Sequence, residues 1–133
     1  MLHAFSSIRK PATTSPPTFE FSGEWSSDLG SRINLTISAD GSVIGKYRAA
    51  AGFPYADTEF PLVGFANGEL LSFTVSFGKY GLVTSWAGQL TREFDRAVIK
   101  TMWLLARNVP DPDDSTNLWG AVLTGYNNFM RKP

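Results

Sequence analysis

The sequence predicts an all-β fold, an antiparallel barrel or sandwich of roughly eight strands, and three observations carry that reading. Aromatic and β-branched residues alternate with polar ones over short stretches. Gly, Asn and Asp break those stretches at near-regular intervals. No long segment repeats its apolar residues at the helical period. At 133 residues, 43% hydrophobic and 14% aromatic, the chain has the size of one domain and enough apolar material for a sizeable core.

Residues 1–18 read as a flexible tail and 19–130 as the barrel domain. Arg9 and Lys10 are followed by no apolar run, so the opening does not read as a secretory signal peptide. The stretch from Pro11 to Pro17 reads as an extended linker. Strands are expected at 19–27, 31–38 and, after the turn signal Ala39-Asp40-Gly41, 42–51. The next two, 59–66 and 69–78, are joined by Asn67-Gly68, a pair that favours a type I′ hairpin. Strands at 81–90, 97–107 and 118–130 complete the set. The stretches 91–95 and 112–117 can each hold one turn of helix.

The alternation assigns faces, because successive side chains of a strand point to opposite sides. Leu71, Phe73, Val75 and Phe77 share one face, as do Leu82, Thr84, Trp86, Gly88 and Leu90. Ile99, Thr101, Trp103 and Leu105 lie together opposite Lys100 and Met102, and Leu123, Gly125, Asn127 and Phe129 form a last set. These faces mix large aromatics with hydroxyls, an amide and glycine. Two interiors fit the pattern equally: a ligand pocket with apolar walls and a few orienting polar groups, or a packed core whose polar groups satisfy one another or buried water.

Composition removes several functions. Lys plus Arg and Asp plus Glu each number 12, so the basic excess of a phosphate-neutralising nucleic-acid binder is missing. No cysteine is present, which excludes disulfides, thiolate metal sites and cysteine nucleophiles. His3 is the one histidine, so catalysis has almost no parts and no metal site is expected. Asp111, Asp113 and Asp114 lack the closing glutamate of a calcium loop and read as an acidic turn. No run of about 18 apolar residues, the length of a membrane span, occurs.

Five motifs in order decide between the interiors. Gly23-Glu24-Trp25-Ser26-Ser27-Asp28-Leu29-Gly30-Ser31 resembles the Gly-x-Trp-x-Asn-x-x-Gly-Ser opening of the avidin and streptavidin family. Gly45-Lys46-Tyr47 after Asp40-Gly41, Thr84-Ser85-Trp86-Ala87-Gly88-Gln89 and Ile99-Lys100-Thr101-Met102-Trp103-Leu104-Leu105 resemble its later strands. Leu118-Trp119 followed by Gly125-Tyr126-Asn127-Asn128-Phe129 resembles the last. The resemblance implies an eight-stranded antiparallel up-and-down barrel, non-enzymatic and without a cofactor, that binds biotin at one open end. It also implies a secreted homo-oligomer, a tetramer if Trp119 reaches into a neighbouring subunit's site, with no nucleic-acid or membrane partner.

Carried over residue by residue, the resemblance implies that Ser31 and Tyr47 donate to the ureido oxygen of biotin and that Asn127 accepts from a ureido N–H. It implies that Thr84 faces the ring sulfur and that Phe77, Trp86 and Trp103 box the bicycle. Leu29 and Leu105 correspond to wall positions, and Ala51 and Gly52 to the loop that closes over the ligand. Three positions depart from the pattern. Ser27 stands for the family's asparagine and is expected to reach the ureido oxygen only through water. Ala49 stands for a hydroxyl residue, and Leu82 for a serine that meets the ligand carboxylate in streptavidin. Each lost bond is expected to cost about 1–3 kcal/mol where the ligand group goes unpaired, so affinity below the family's extreme is expected. The competing readings are a lipocalin-like carrier and an avidin-fold carrier of a different small apolar ligand.

Overall fold

The computed structural model describes residues 17–108 and 122–131. Eight strands follow in order: β1 Gly23–Ser27, β2 Arg32–Ile37, β3 Ser42–Arg48, β4 Glu59–Asn67, β5 Leu70–Ser76, β6 Leu82–Glu93, β7 Arg96–Arg107 and β8 Val122–Arg131. Each pairs antiparallel with the next, and β8 returns to β1 through Trp25↔Arg131, Ser26↔Met130 and Ser27↔Phe129. The sheet is therefore a closed up-and-down barrel, which leaves no strand edge unpaired.

The expected alternation holds across most of the wall; Leu123, expected to face inward, is exposed near the open end, and Val98 is buried beside Ile99. Leu71, Phe73 and Val75 are buried while Leu70, Ser72 and Ser76 are exposed. Phe73 stacks on Trp86 at 4.9 Å between ring centres and meets the edge of Phe129 at 5.9 Å. One end of the barrel is plugged. The Trp25 indole N–H donates to the Phe21 carbonyl at 2.9 Å. The Arg131 guanidinium lies 4.4 Å from the Trp25 ring centre and donates to the carbonyls of Ser22 and Glu20. With this end closed, the β1–β2, β3–β4 and β5–β6 connections surround the other, open end, where β7 ends and β8 begins.

Local expectations fail in several places, and the strand expected at 42–51 already ends at Arg48. Residues 19–22 are not strand; Phe19 donates its N–H to the Gly68 carbonyl at 2.8 Å and its ring packs on Phe21 at the plug. The β4–β5 turn is centred on Gly68-Glu69, because Asn67 still pairs with Leu70. Its one positive φ is at Gly68, 59°, which is the type II′ sense rather than type I′. The predicted helical turn at 91–95 is instead the end of β6 and a tight hairpin. Glu93 pairs with Arg96, and Phe94 and Asp95 both take positive φ, 50° and 63°. The helical turn that does form, a 3₁₀ turn at Gly78–Tyr80, was not anticipated. The expected turn at 112–117 and the start of the last strand, with Trp119, lie outside the described residues.

Candidate functional site

The open end holds a cavity of about 200 Å³. Its buried polar lining is Ser31, Tyr47, Thr84 and Asn127, and the half-buried Tyr55 adds a phenol. Its apolar lining includes Phe77, Trp86, Trp103, Leu29 and Leu105.

The donors are ordered by a short hydrogen-bond chain. The Ser27 hydroxyl oxygen accepts the N–H groups of Leu29, at 3.2 Å, and of Ser31, at 3.0 Å. Those bonds close the tight β1–β2 turn and use both acceptor sites of the oxygen. The Ser27 proton is therefore left to go to the Ser31 oxygen, 2.6 Å away. Ser31, thus supplied, has its own proton free for Tyr47 or for the cavity. The Tyr47 phenol is raised above its ordinary pKa by burial, which a hydrogen bond from Ser31 partly offsets. It is a neutral O–H donor at physiological pH.

The acceptor is fixed as firmly. An indole N–H can only donate, and Trp86 Nε1 donates to Asn127 Oδ1 at 3.1 Å. The amide nitrogen of Asn127 turns to Asp28, 3.4 Å away, whose carboxylate also takes the Asn128 N–H at 3.3 Å. A carbonyl oxygen has a second acceptor site, so Asn127 can take a further N–H.

The aromatic walls follow from register. Trp86 pairs with Trp103, Thr84 with Leu105 and Trp103 with Gly125. A Cβ at Gly125 would lie 2.4 Å from the Trp103 ring, so only glycine leaves that indole its place. Tyr47 sits edge-on to Phe77 at 5.5 Å and beside Trp86 at 5.2 Å.

The structure thus gathers Leu29, Ser31, Tyr47, Phe77, Thr84, Trp86, Trp103, Leu105 and Asn127 around one space. It places Ser27 behind Ser31, and buries Ala49 beside the cavity without lining it. Ala51 and Gly52 are exposed, and Leu82 is half-buried against the core outside the lining. Sequence reasoning missed Ala50, Phe53 and Tyr55, which bring the 49–58 loop onto the cavity. Tyr55 anchors that loop against Phe60, Phe77 and Tyr80, and Phe53 stacks on Tyr55 at 5.7 Å. A larger hollow, about 580 Å³, lies outside β4–β6 around Phe65 and Leu70, but it gathers few polar groups to orient a ligand. Among the described residues no three carboxylate or imidazole groups assemble as a metal site, and no helix is long and apolar enough to cross a membrane.

A barrel plugged at one end and open at the other onto hydroxyls, an amide and aromatic walls has the architecture of the small-ligand-binding barrels. The Avidin family model matches residues 15–132. Avidin-related protein 4/5 from Gallus gallus is 34% identical over 116 residues, covering 82% of this chain and 75% of the relative. Avidin from Gallus gallus is 31% identical over 118 residues, covering 82% and 76%. The crystal structure of the rhizavidin–biotin complex aligns with TM-score 0.68 at 24% identity, covering 84% of this chain and 92% of that one. The chain belongs to the Avidin family. This is a family of non-enzymatic biotin binders, in which biotin is a ligand and not a cofactor.

Proposed function

We propose that the barrel binds biotin in the open-end cavity. The observation that carries this reading is the matched polarity of the buried pole: two converging hydroxyl donors, Ser31 and Tyr47, with an amide acceptor, Asn127, between indole and phenyl walls. A ureido group presents an acceptor oxygen flanked by N–H donors, the complement of that arrangement. Thr84 faces the ring sulfur, and Phe77, Trp86 and Trp103 cover the bicycle. Ser27 acts on the ligand through Ser31, by fixing which way the Ser31 proton points. Ala49 adds no hydroxyl, so affinity falls below the family's limit. Titration calorimetry tests the reading: heat at micromolar protein with one site per chain is expected, and none from a folded sample would falsify it.

The protein is further proposed to be a secreted homotetramer, built as a dimer of dimers. Support comes from the outer wall. In register across β4 to β8, Phe65, Ser72, Ala87, Met102 and Tyr126 form an outward row without a charge. A contiguous row of exposed apolar side chains is the kind of surface that marks a contact. Trp119 is proposed to cross into a neighbour's site.

A further inference from the structure

The cavity changes character from its floor to its mouth. Ser31, Tyr47, Thr84 and Asn127, all buried, make the floor. At the mouth stand Leu29, Ala50, Phe53 and Leu105, of which Leu29 is 70% and Phe53 53% exposed, with the Tyr55 ring behind Phe53. Among the described residues, no lysine, arginine or histidine lines this space. Two cations stand near the open end but outside the lining: Lys79 on the 3₁₀ turn, its ammonium 5.4 Å from the Tyr80 ring centre, and Arg107 at the end of β7, two residues beyond Leu105.

A ligand held by its head at the floor must place its tail among these mouth residues. A carboxylate brought there gives up hydration and meets no cation among the described lining residues, which disfavours the ionised form. The Tyr55 phenol offers one hydrogen bond but no charge, and an amide or ester carbonyl accepts that bond as well as a carboxylate does. Apolar and aromatic side chains favour the less hydrated end group.

We infer that the mouth selects ligands whose tail ends in a neutral group, an amide or an ester, over ligands that end in a free carboxylate. This rests on the biotin reading and sharpens it: the favoured form is biotin joined through its carboxyl to an amine.

Calorimetric titration of the full chain at pH 7 with biotin, biotinamide and biotin methyl ester tests the inference. The amide and ester are expected to bind at least about fivefold tighter than the acid, close to 1 kcal/mol. Phe53→Lys, which places an ammonium at the mouth, is expected to move the acid-to-ester affinity ratio about tenfold toward the acid. Equal affinity for all three ligands overturns the inference. So does tighter binding of the acid, and loss of that advantage in Lys79→Met would identify the lysine that captures the carboxylate. Silence from all three ligands on a folded barrel removes the biotin reading itself, a result distinct from a flat or reversed preference.

Discussion

In the proposed site, one residue at the cavity floor and one behind it divide the work of donating and aiming. Tyr47 donates, and burial holds its phenol above the ordinary pKa against the opposing bond from Ser31. A phenol raised in the folded state contributes stability that is fully present below its unfolded pKa, about 10. That contribution is lost as pH climbs from there through the folded value. Ligand affinity is accordingly expected to stay flat from pH 6 to 9 and to fall above about pH 10. Tyr47→Phe should weaken binding by about 1–3 kcal/mol and flatten the Tyr47 part of the alkaline limb, which calorimetry across that range will read. Ser27 only aims. Ser27→Ala removes the acceptor for two turn N–H groups and the donor to Ser31. It is expected to weaken binding by about tenfold without touching the ligand, and Ser27→Thr, which keeps the hydroxyl, is expected to recover most of the loss.

Among the elements, β6, β7 and β8 depend on two backbone details. The β6–β7 hairpin puts a bulky aromatic in the left-handed region at Phe94, which is 97% exposed. Such a residue costs roughly 1 kcal/mol there. Replacing Phe94-Asp95 by Asn-Gly, the pair this turn prefers, is expected to raise the melting temperature by several degrees, as calorimetry will show. At the β7–β8 contact, Gly125→Ala should drive the Trp103 indole from the cavity wall. The expected outcome is a folded barrel whose ligand-induced tryptophan emission change shrinks and whose affinity drops at least about tenfold. The strands and their inward faces were legible beforehand, because a two-residue period survives in sequence wherever one side of a sheet is buried. Ser31, Tyr47, Thr84, Trp86, Trp103 and Asn127 were found on that basis together with the family motifs. Phe53 and Tyr55 sit on a loop with no period, so nothing local marked them. The role of Ser27 depends on the β1–β2 turn closing over its hydroxyl, which composition does not reveal. The hairpin at Phe94 escaped because neither of its residues is the glycine that usually signals such a turn.

At the scale of the whole molecule, the barrel has two different outsides. From β1 to β3 the outer face carries Glu24, Arg32, Lys46 and Arg48, with Arg48 paired to Glu59 at 3.7 Å. From β4 to β8 it carries Phe65, Val83, Met102, Leu104 and Tyr126, all exposed. An assembly that covers the second sector and leaves the first wet satisfies both. Met102→Glu places a carboxylate in the middle of the apolar row, and light scattering is expected to report a smaller mass than for the wild type. An unchanged mass would place the subunit contact elsewhere.

The closure of β8 onto β1 bears on how the chain reaches this state. Seven of the eight pairings join strands adjacent in sequence, and only Trp25↔Arg131, Ser26↔Met130 and Ser27↔Phe129 bring distant residues together. Local hairpins lose little loop entropy, whereas the closing seam must wait for nearly the whole meander. The seam is thus the natural late event in folding. A circular permutant that links the region after Arg131 to that before Gly23, and opens the chain between Phe94 and Asp95, would turn the longest-range pairing into a short-range one. Its new termini would emerge at the plugged end, away from the mouth.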